Sequence, residues 1–244
     1  MSPHRDSSFG RRFFVKVSTA LGAVAVLAPA TTFGLTTLGR RALAADAAVG
    51  EVTKLRGQAR ASRNGGNVML DVGTKIQSGD TIVTGPDARL KLQFLDGSTM
   101  TLGETSKLNI DKAAFDGGKR DIAATLLDGI VRCAVAKAAE GSNFEVSSSL
   151  VTSAARGTEW IVSIKDHTTS LLVLEGVVNA KGLGETKEDL PDLPISKDGV
   201  DLTVKQGLAV GEPARSIGLD AKDMGKPMNW KAERIDKLVA ATDF

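Results

Sequence analysis

Few side chains in this 244-residue sequence have the type and spacing to do chemistry. Past residue 44 there is one histidine, His167 in the polar stretch KDHTT, and one cysteine, Cys133 in the apolar run GIVRCAVA. A lone turn histidine leaves no Ser–His–acid or Cys–His relay and no histidine pair for zinc. One cysteine closes no intramolecular disulfide. In an apolar run it reads as a buried, inert thiol, with a dimer-linking or cofactor-bearing thiol as the alternative. Carboxylates are plentiful, but Asp80, Asp96 and Asp128 each stand beside a glycine, where aspartate hydrogen-bonds the backbone of its own turn. No carboxylate pair of the glycosidase kind is singled out. The stretch GLGETK (182–187) lacks both the spacing and the strand–helix setting of a phosphate loop. The sequence therefore nominates no catalytic residue, no metal ligand and no cofactor site.

One motif remains, SAARGTEWIV at 153–162. Alternation along an extended chain puts Arg156, Thr158, Trp160 and Val162 on one side and Ala155, Gly157, Glu159 and Ile161 on the other, unless Arg156-Gly157 forms a bulge. A glycine inside a strand marks a bulge or a close backbone approach. Arginine offers five donors in a planar fork, suited to tying turn carbonyls or a carboxylate across a sheet. Arg156 reads as a structural clamp, with a ligand contact as the alternative, and Glu159 as its local companion or a surface acid.

The elements around this motif are β throughout. From 49 to 180, short runs rich in Val, Ile, Leu and Thr are separated by Gly, Asp and Asn, the mark of successive short strands. Only DIAATLL (121–127) is ambiguous. Three turns share a pattern: Leu95-Asp96-Gly97, Leu127-Asp128-Gly129 and Leu174-Glu175-Gly176. In the first, a three-residue loop with Gly97 in the left-handed region pairs Leu92 with Met100 and Leu90 with Leu102. That register keeps all five apolar side chains, Phe94 included, on one face, whereas a two-residue loop would split them. The other two turns read as hairpins of undefined register. Gly79-Asp80 reads as a further turn.

Residues 181–199 form a polar, proline-containing loop. A hairpin follows at 200–210 around Gln206-Gly207, and the chain then changes period. Trp230, Ile235, Leu238 and Val239 lie on one helical face, which docks on the β domain or, alternatively, binds a partner. The expected fold is all-β: antiparallel hairpins in a twisted roll or sandwich, with solenoid-like stacking as a variant, closed by a C-terminal amphipathic helix.

The first 44 residues differ from the rest. GRRFFVK (10–16) sets Arg11 and Arg12 before an aromatic pair and a lysine, which resembles a twin-arginine export motif. An uncharged stretch and a small-x-small pattern ending at Ala44 follow. Cleavage near Ala44 is the expectation, and an uncleaved anchor is the alternative, since 22 residues would cross a core of ~30 Å. The segment holds six basic residues and one acid, so the remaining chain has 25 basic and 28 acidic residues, a balance of −3. That balance, with few aromatics and no tyrosine, argues against nucleic acid as a partner. The division read from sequence is a signal at 1–44, a β domain at 49–180, a loop at 181–199 and a hairpin with a helix at 200–244.

Six stretches carry a family resemblance in order: LDVGTKIQSGDTIVTG (70–85), ARLKLQFLDGSTMTL (88–102), LLDGIVR (126–132), FEVSS (144–148), AARGTEWIV (154–162) and LVLEGVV (172–178). Together they resemble a FecR-type domain, a periplasmic module of iron-uptake signalling regulators. The resemblance implies a signature of Gly79, Asp80, Asp96, Gly97, Arg156, Gly157, Thr158, Glu159 and Gly176. Membrane-spanning members carry a cytoplasmic segment that binds a sigma factor, and an export signal this early leaves no room for one. The resemblance thus points to an exported, free-standing version with no stable membrane span after processing. It would be a non-catalytic signalling or scaffold module, with a membrane receptor, transporter or signalling enzyme of the envelope as its protein partner. A binding module for cell-wall glycan or another envelope ligand is the alternative, and a carboxylate-based envelope hydrolase is the third reading.

Overall fold

Strand β9 (Lys119–Ala134) is 16 residues long and organises the molecule. In its first half Arg120, Ile122, Ala124 and Leu126 are buried in strict alternation. At Leu127-Asp128 both residues are exposed and the phase changes, so that Val131 and Cys133 face inward. The ladder with the preceding strand slips a residue at the same place. Gly129, at φ +82°, carries this shift. DIAATLL is therefore strand, and Leu127-Asp128-Gly129 is a crossing inside one strand, not the hairpin that its sequence suggests.

The computed structural model describes residues 47–183, 200–202, 206–211 and 227–244, all within the unit Arg40–Phe244. The export segment and most of the 181–199 loop lie outside them. The second half of β9 belongs to a first layer, whose order is β4 (Lys75–Gln77), β1 (Ala48–Arg56), β6 (Arg89–Phe94), β7 (Thr99–Leu102), β9, β12 (Glu159–Lys165), β13 (Thr168–Glu175), β16 (Gln206–Gly211) and β17 (Met228–Asn229). Its first half belongs to a second layer. There the order is β3 (Gly66–Met69), β2 (Ala59–Arg63), β5 (Thr81–Thr84), β8 (Lys107–Asp116), β9, β10 (Asn143–Ser147), β11 (Val151–Ala155), β14 (Val178–Gly182) and β15 (Val200–Leu202). Every pairing is antiparallel except β9–β10. The fold is all-β and curled, with one short C-terminal helix.

The chain alternates between layers, and its turns do the switching. Only the Gly97 turn closes a hairpin of the predicted kind. Leu90 pairs with Leu102 and Leu92 with Met100, Phe94 N–H donates to the Ser98 carbonyl at 2.8 Å, and Gly97 sits at φ +84°. Leu174-Glu175-Gly176 instead carries the chain from β13 in the first layer to β14 in the second. Residues 200–202 and 206–211 likewise join different layers, so they are not paired as a hairpin, and Gln206-Gly207 lies in a strand. The loop expected from residue 181 begins later, because β14 runs to Gly182.

Between the layers lies one core in which Phe94, Phe144 and Trp160 meet edge to face at 6.1 and 5.8 Å. Burying each such ring contributes about 1.5–3 kcal/mol. The outer face of the first layer is apolar over part of its width, at Ile130, Ile161 and Leu172. Helix α1 (Ala232–Thr242) covers it with Ile235, Leu238 and Val239. Trp230, assigned from sequence to the helix face, precedes the helix but packs into this same cluster at 7% exposure. The Arg234 guanidinium lies 3.6 Å from the centre of its ring. Strands covered on both faces read as unbroken apolar runs, which is why WIV and LLV stand in this sequence.

Candidate protein-binding surface

The signature residues divide into those that hold turns and one that faces outward. Asp80 is completely buried. It accepts two hydrogen bonds of 2.7 Å from Arg63 Nε and Nη2 and one of 2.9 Å from the Gln77 N–H. Arg63 also donates to the Lys75 carbonyl at 2.9 Å. Its planar fork ties β2 to the turn between β4 and β5, where Gly79 stands at φ +88°. Asp96 accepts from Ser98 N–H at 3.1 Å and Ser98 Oγ at 2.6 Å, and from Arg120 Nη1 at 2.5 Å. Asp128 accepts from the Gly129 N–H at 2.8 Å. All three aspartates hydrogen-bond their own turn, as their glycine neighbours suggested, and two also anchor an arginine.

Arg156 does not clamp anything. Its side chain is exposed and has no hydrogen bond or ion pair among the described residues. The tying is done by Thr158, which is 3% exposed and donates toward the carbonyls of Arg156 at 3.0 Å and Val177 at 3.2 Å. Its own carbonyl accepts from the Val135 N–H at 2.9 Å. Thr158 thus locks the β11–β12 turn to the β13–β14 turn, and a Cβ on Gly176 would stand 2.8 Å from its hydroxyl. The chain turns at Arg156–Thr158 instead of bulging within a strand, with Gly157 at φ +58° against the stem of Lys137. Glu159 pairs with Arg132, Nε to Oε1 at 2.7 Å, and not with Arg156. Arg63, Arg120 and Arg132, the arginines that clamp, were missed from sequence. Each partner lies 17 to 27 residues away in the chain, with no local spacing to mark it.

His167 is exposed at φ +57° in the tight β12–β13 turn. Cys133 is buried, and desolvation pushes its thiol well above its ordinary range. Among the described residues no three His, Cys, Asp or Glu are grouped to hold a metal ion. No helix among them is long and apolar enough to cross a membrane. Two surfaces remain. On the outer face of the second layer, register aligns Ser62, Thr81, Asn109, Thr125, Ser147 and Thr152 side by side across six neighbouring strands. On the outer face of the first layer, beyond the part α1 covers, lies a groove bordered by Lys54, Lys91, Thr101, Arg132 and the residues that follow the helix.

Residues 80–179 match the family described as FecR protein. No curated protein matches the sequence. Two crystal structures of a candidate anti-sigma factor from Parabacteroides distasonis ATCC 8503 are similar at 14% identity and a TM-score of 0.46. The alignments cover 65% of this chain and 64% and 63% of theirs, so the chain spans under two thirds of those neighbours' length. The matched segment takes in β5 through the first two residues of β14, from both layers. The likeness to the FecR family is thus that of a segment, 100 of the 244 residues.

Proposed function

We propose that the chain is exported to the periplasm by the twin-arginine route, is cleaved near Ala44, and acts there as a non-catalytic signalling or scaffold module that binds a protein partner of the envelope. The β domain at 49–180 is its working part, and a receptor, transporter or signalling enzyme, as in iron-uptake signalling, is the partner class. The observation that carries this reading is the FecR match over residues 80–179. The signature supports it from the other side. Its carboxylates Asp80, Asp96 and Glu159 are engaged by arginines, while Arg156 points to solvent with its donors open to a partner.

Two experiments test the reading. Changing Arg11 and Arg12 together to lysine traps the precursor in the cytoplasm, and unchanged recovery of mature chain from the periplasm would remove the export assignment. Crosslinking in intact cells, with a photoreactive residue in place of Arg156, should capture a defined envelope protein. The row of hydroxyl and amide groups from Ser62 to Thr152 favours a second reading, a module for envelope glycan. Retention on isolated cell wall, with no protein crosslink, would replace the first reading by the second.

A further inference from the structure

The groove on the first layer is lined by more cations than the fold compensates. Register sets Lys54 opposite Lys91, Lys91 opposite Thr101 and Thr101 opposite Arg132. One row on, Arg56 stands opposite Arg89. Like charges facing each other on neighbouring strands are destabilising, yet two such pairs adjoin here. Glu159 meets Arg132. Lys54, Lys91 and Arg56 have no carboxylate partner among the described residues.

Asp243 and Phe244 of the same chain lie in this groove. Arg89 Nη1 donates to the Asp243 carbonyl, and Arg132 Nη1 stands 3.6 Å from Asp243 Oδ1. Lys54 Nζ sits 5.4 Å from the centre of the Phe244 ring, within the range of a cation–π contact. The hold is loose, because the Asp243 side chain is 72% exposed and Phe244 48%. Thr242, by contrast, is buried and bonded to the carbonyls of Leu238 and Val239, so the helix stays seated whether or not the two residues beyond it do.

We propose that this groove is a docking site for an extended acidic segment of a partner protein, a carboxylate followed by an aromatic residue, and that Asp243-Phe244 occupy it in the absence of that partner. The occupant is a peptide because the chain's own peptide already places one carboxylate and one ring on the cations. This inference holds whichever envelope ligand the polar face of the second layer takes.

The test uses the chain from residue 45 with Asp243→Lys and Phe244→Ala, two exposed changes that empty the groove, and unfolding melts verify its fold. The probe is a fluorescein-labelled peptide Ala-Ala-Thr-Asp-Phe, with Ala-Ala-Thr-Lys-Phe as control. The emptied chain binds the acidic peptide at least about ten-fold more tightly than the unchanged chain, whose tethered tail competes at high effective concentration. Binding weakens with salt and disappears when Lys91→Glu is added. Equal binding by both chains, equal binding of the control peptide, or retention of binding with Lys91→Glu each overturns the proposal. So does an emptied chain that binds phosphatidylglycerol vesicles and not the peptide.

Discussion

Replacing Gly129 with alanine perturbs the point where β9 passes between layers. The residue sits at φ +82°, and holding alanine in the left-handed region costs about 1–2 kcal/mol. An added Cβ would stand 2.3 Å from Ser106 Oγ and 2.6 Å from Ser106 Cα. Rotating the hydroxyl away clears the first contact but not the second, so backbone must shift, at a further ~1–3 kcal/mol. Moving the hydroxyl also costs its bond from the Ile130 N–H, 3.0 Å long, worth on the order of 1 kcal/mol. The sum is roughly 3–6 kcal/mol, or on the order of 10 °C in melting temperature for a domain of this size. Urea and thermal unfolding followed by circular dichroism measure it. A companion cycle with Ser106→Gly separates the parts: on that background the contact with the residue 106 Cα persists, so Gly129→Ala should cost less only by the hydrogen-bond share, about 1 kcal/mol. A single variant melting within about 1 °C of the parent would refute the crossing geometry.

Arg156→Ala should change stability by no more than ~0.5 kcal/mol, whereas Thr158→Val should cost about 1–2 kcal/mol by orphaning two carbonyls. Melts of the pair measured side by side decide it, and the opposite order would restore Arg156 as the clamp. Cys133 should resist iodoacetamide in the folded chain and react fully in urea, since the thiol is buried and its ionisation is suppressed. Modification of the folded chain at the unfolded rate would contradict that burial.

The three Leu-acid-Gly turns show what could be read in the sequence and what could not. Gly97 was legible because polar Ser98 and Thr99 resume a strict alternation whose register only one loop length satisfies. Gly129 ends the same kind of tripeptide but precedes Ile130-Val131, one residue packed under α1 and the other in the core. Two adjacent apolar residues after a glycine were the available signal for a crossing, and the local likeness of the turns hid it. Arg156 was misassigned for a different reason. A guanidinium's capacity to clamp is a property of the residue, but its partner is set by tertiary structure. The sequence offers Arg63, Arg120, Arg132 and Arg156 on equal terms, and only the register brings Asp80, Asp96 and Glu159 to the first three. The paired cations at Lys54 and Lys91 were invisible for the same reason, as they stand 37 positions apart in the chain and meet only across β1 and β6.

The single backbone of β9 has a mechanical consequence. A sandwich whose layers are joined only by loops can shear, with one sheet sliding over the other to carry a signal. Here the two layers share a covalent spine and its hydrogen bonds, so sliding would have to break the ladder on one side of Gly129. Relative sliding of the two faces is therefore resisted by that ladder. The parts that can shift without breaking it are those at the rim, the turns and the segment after the helix, with the body itself as a stiff anvil. The same spine predicts that loss of either layer melts the other, so that unfolding is one transition without a half-open form.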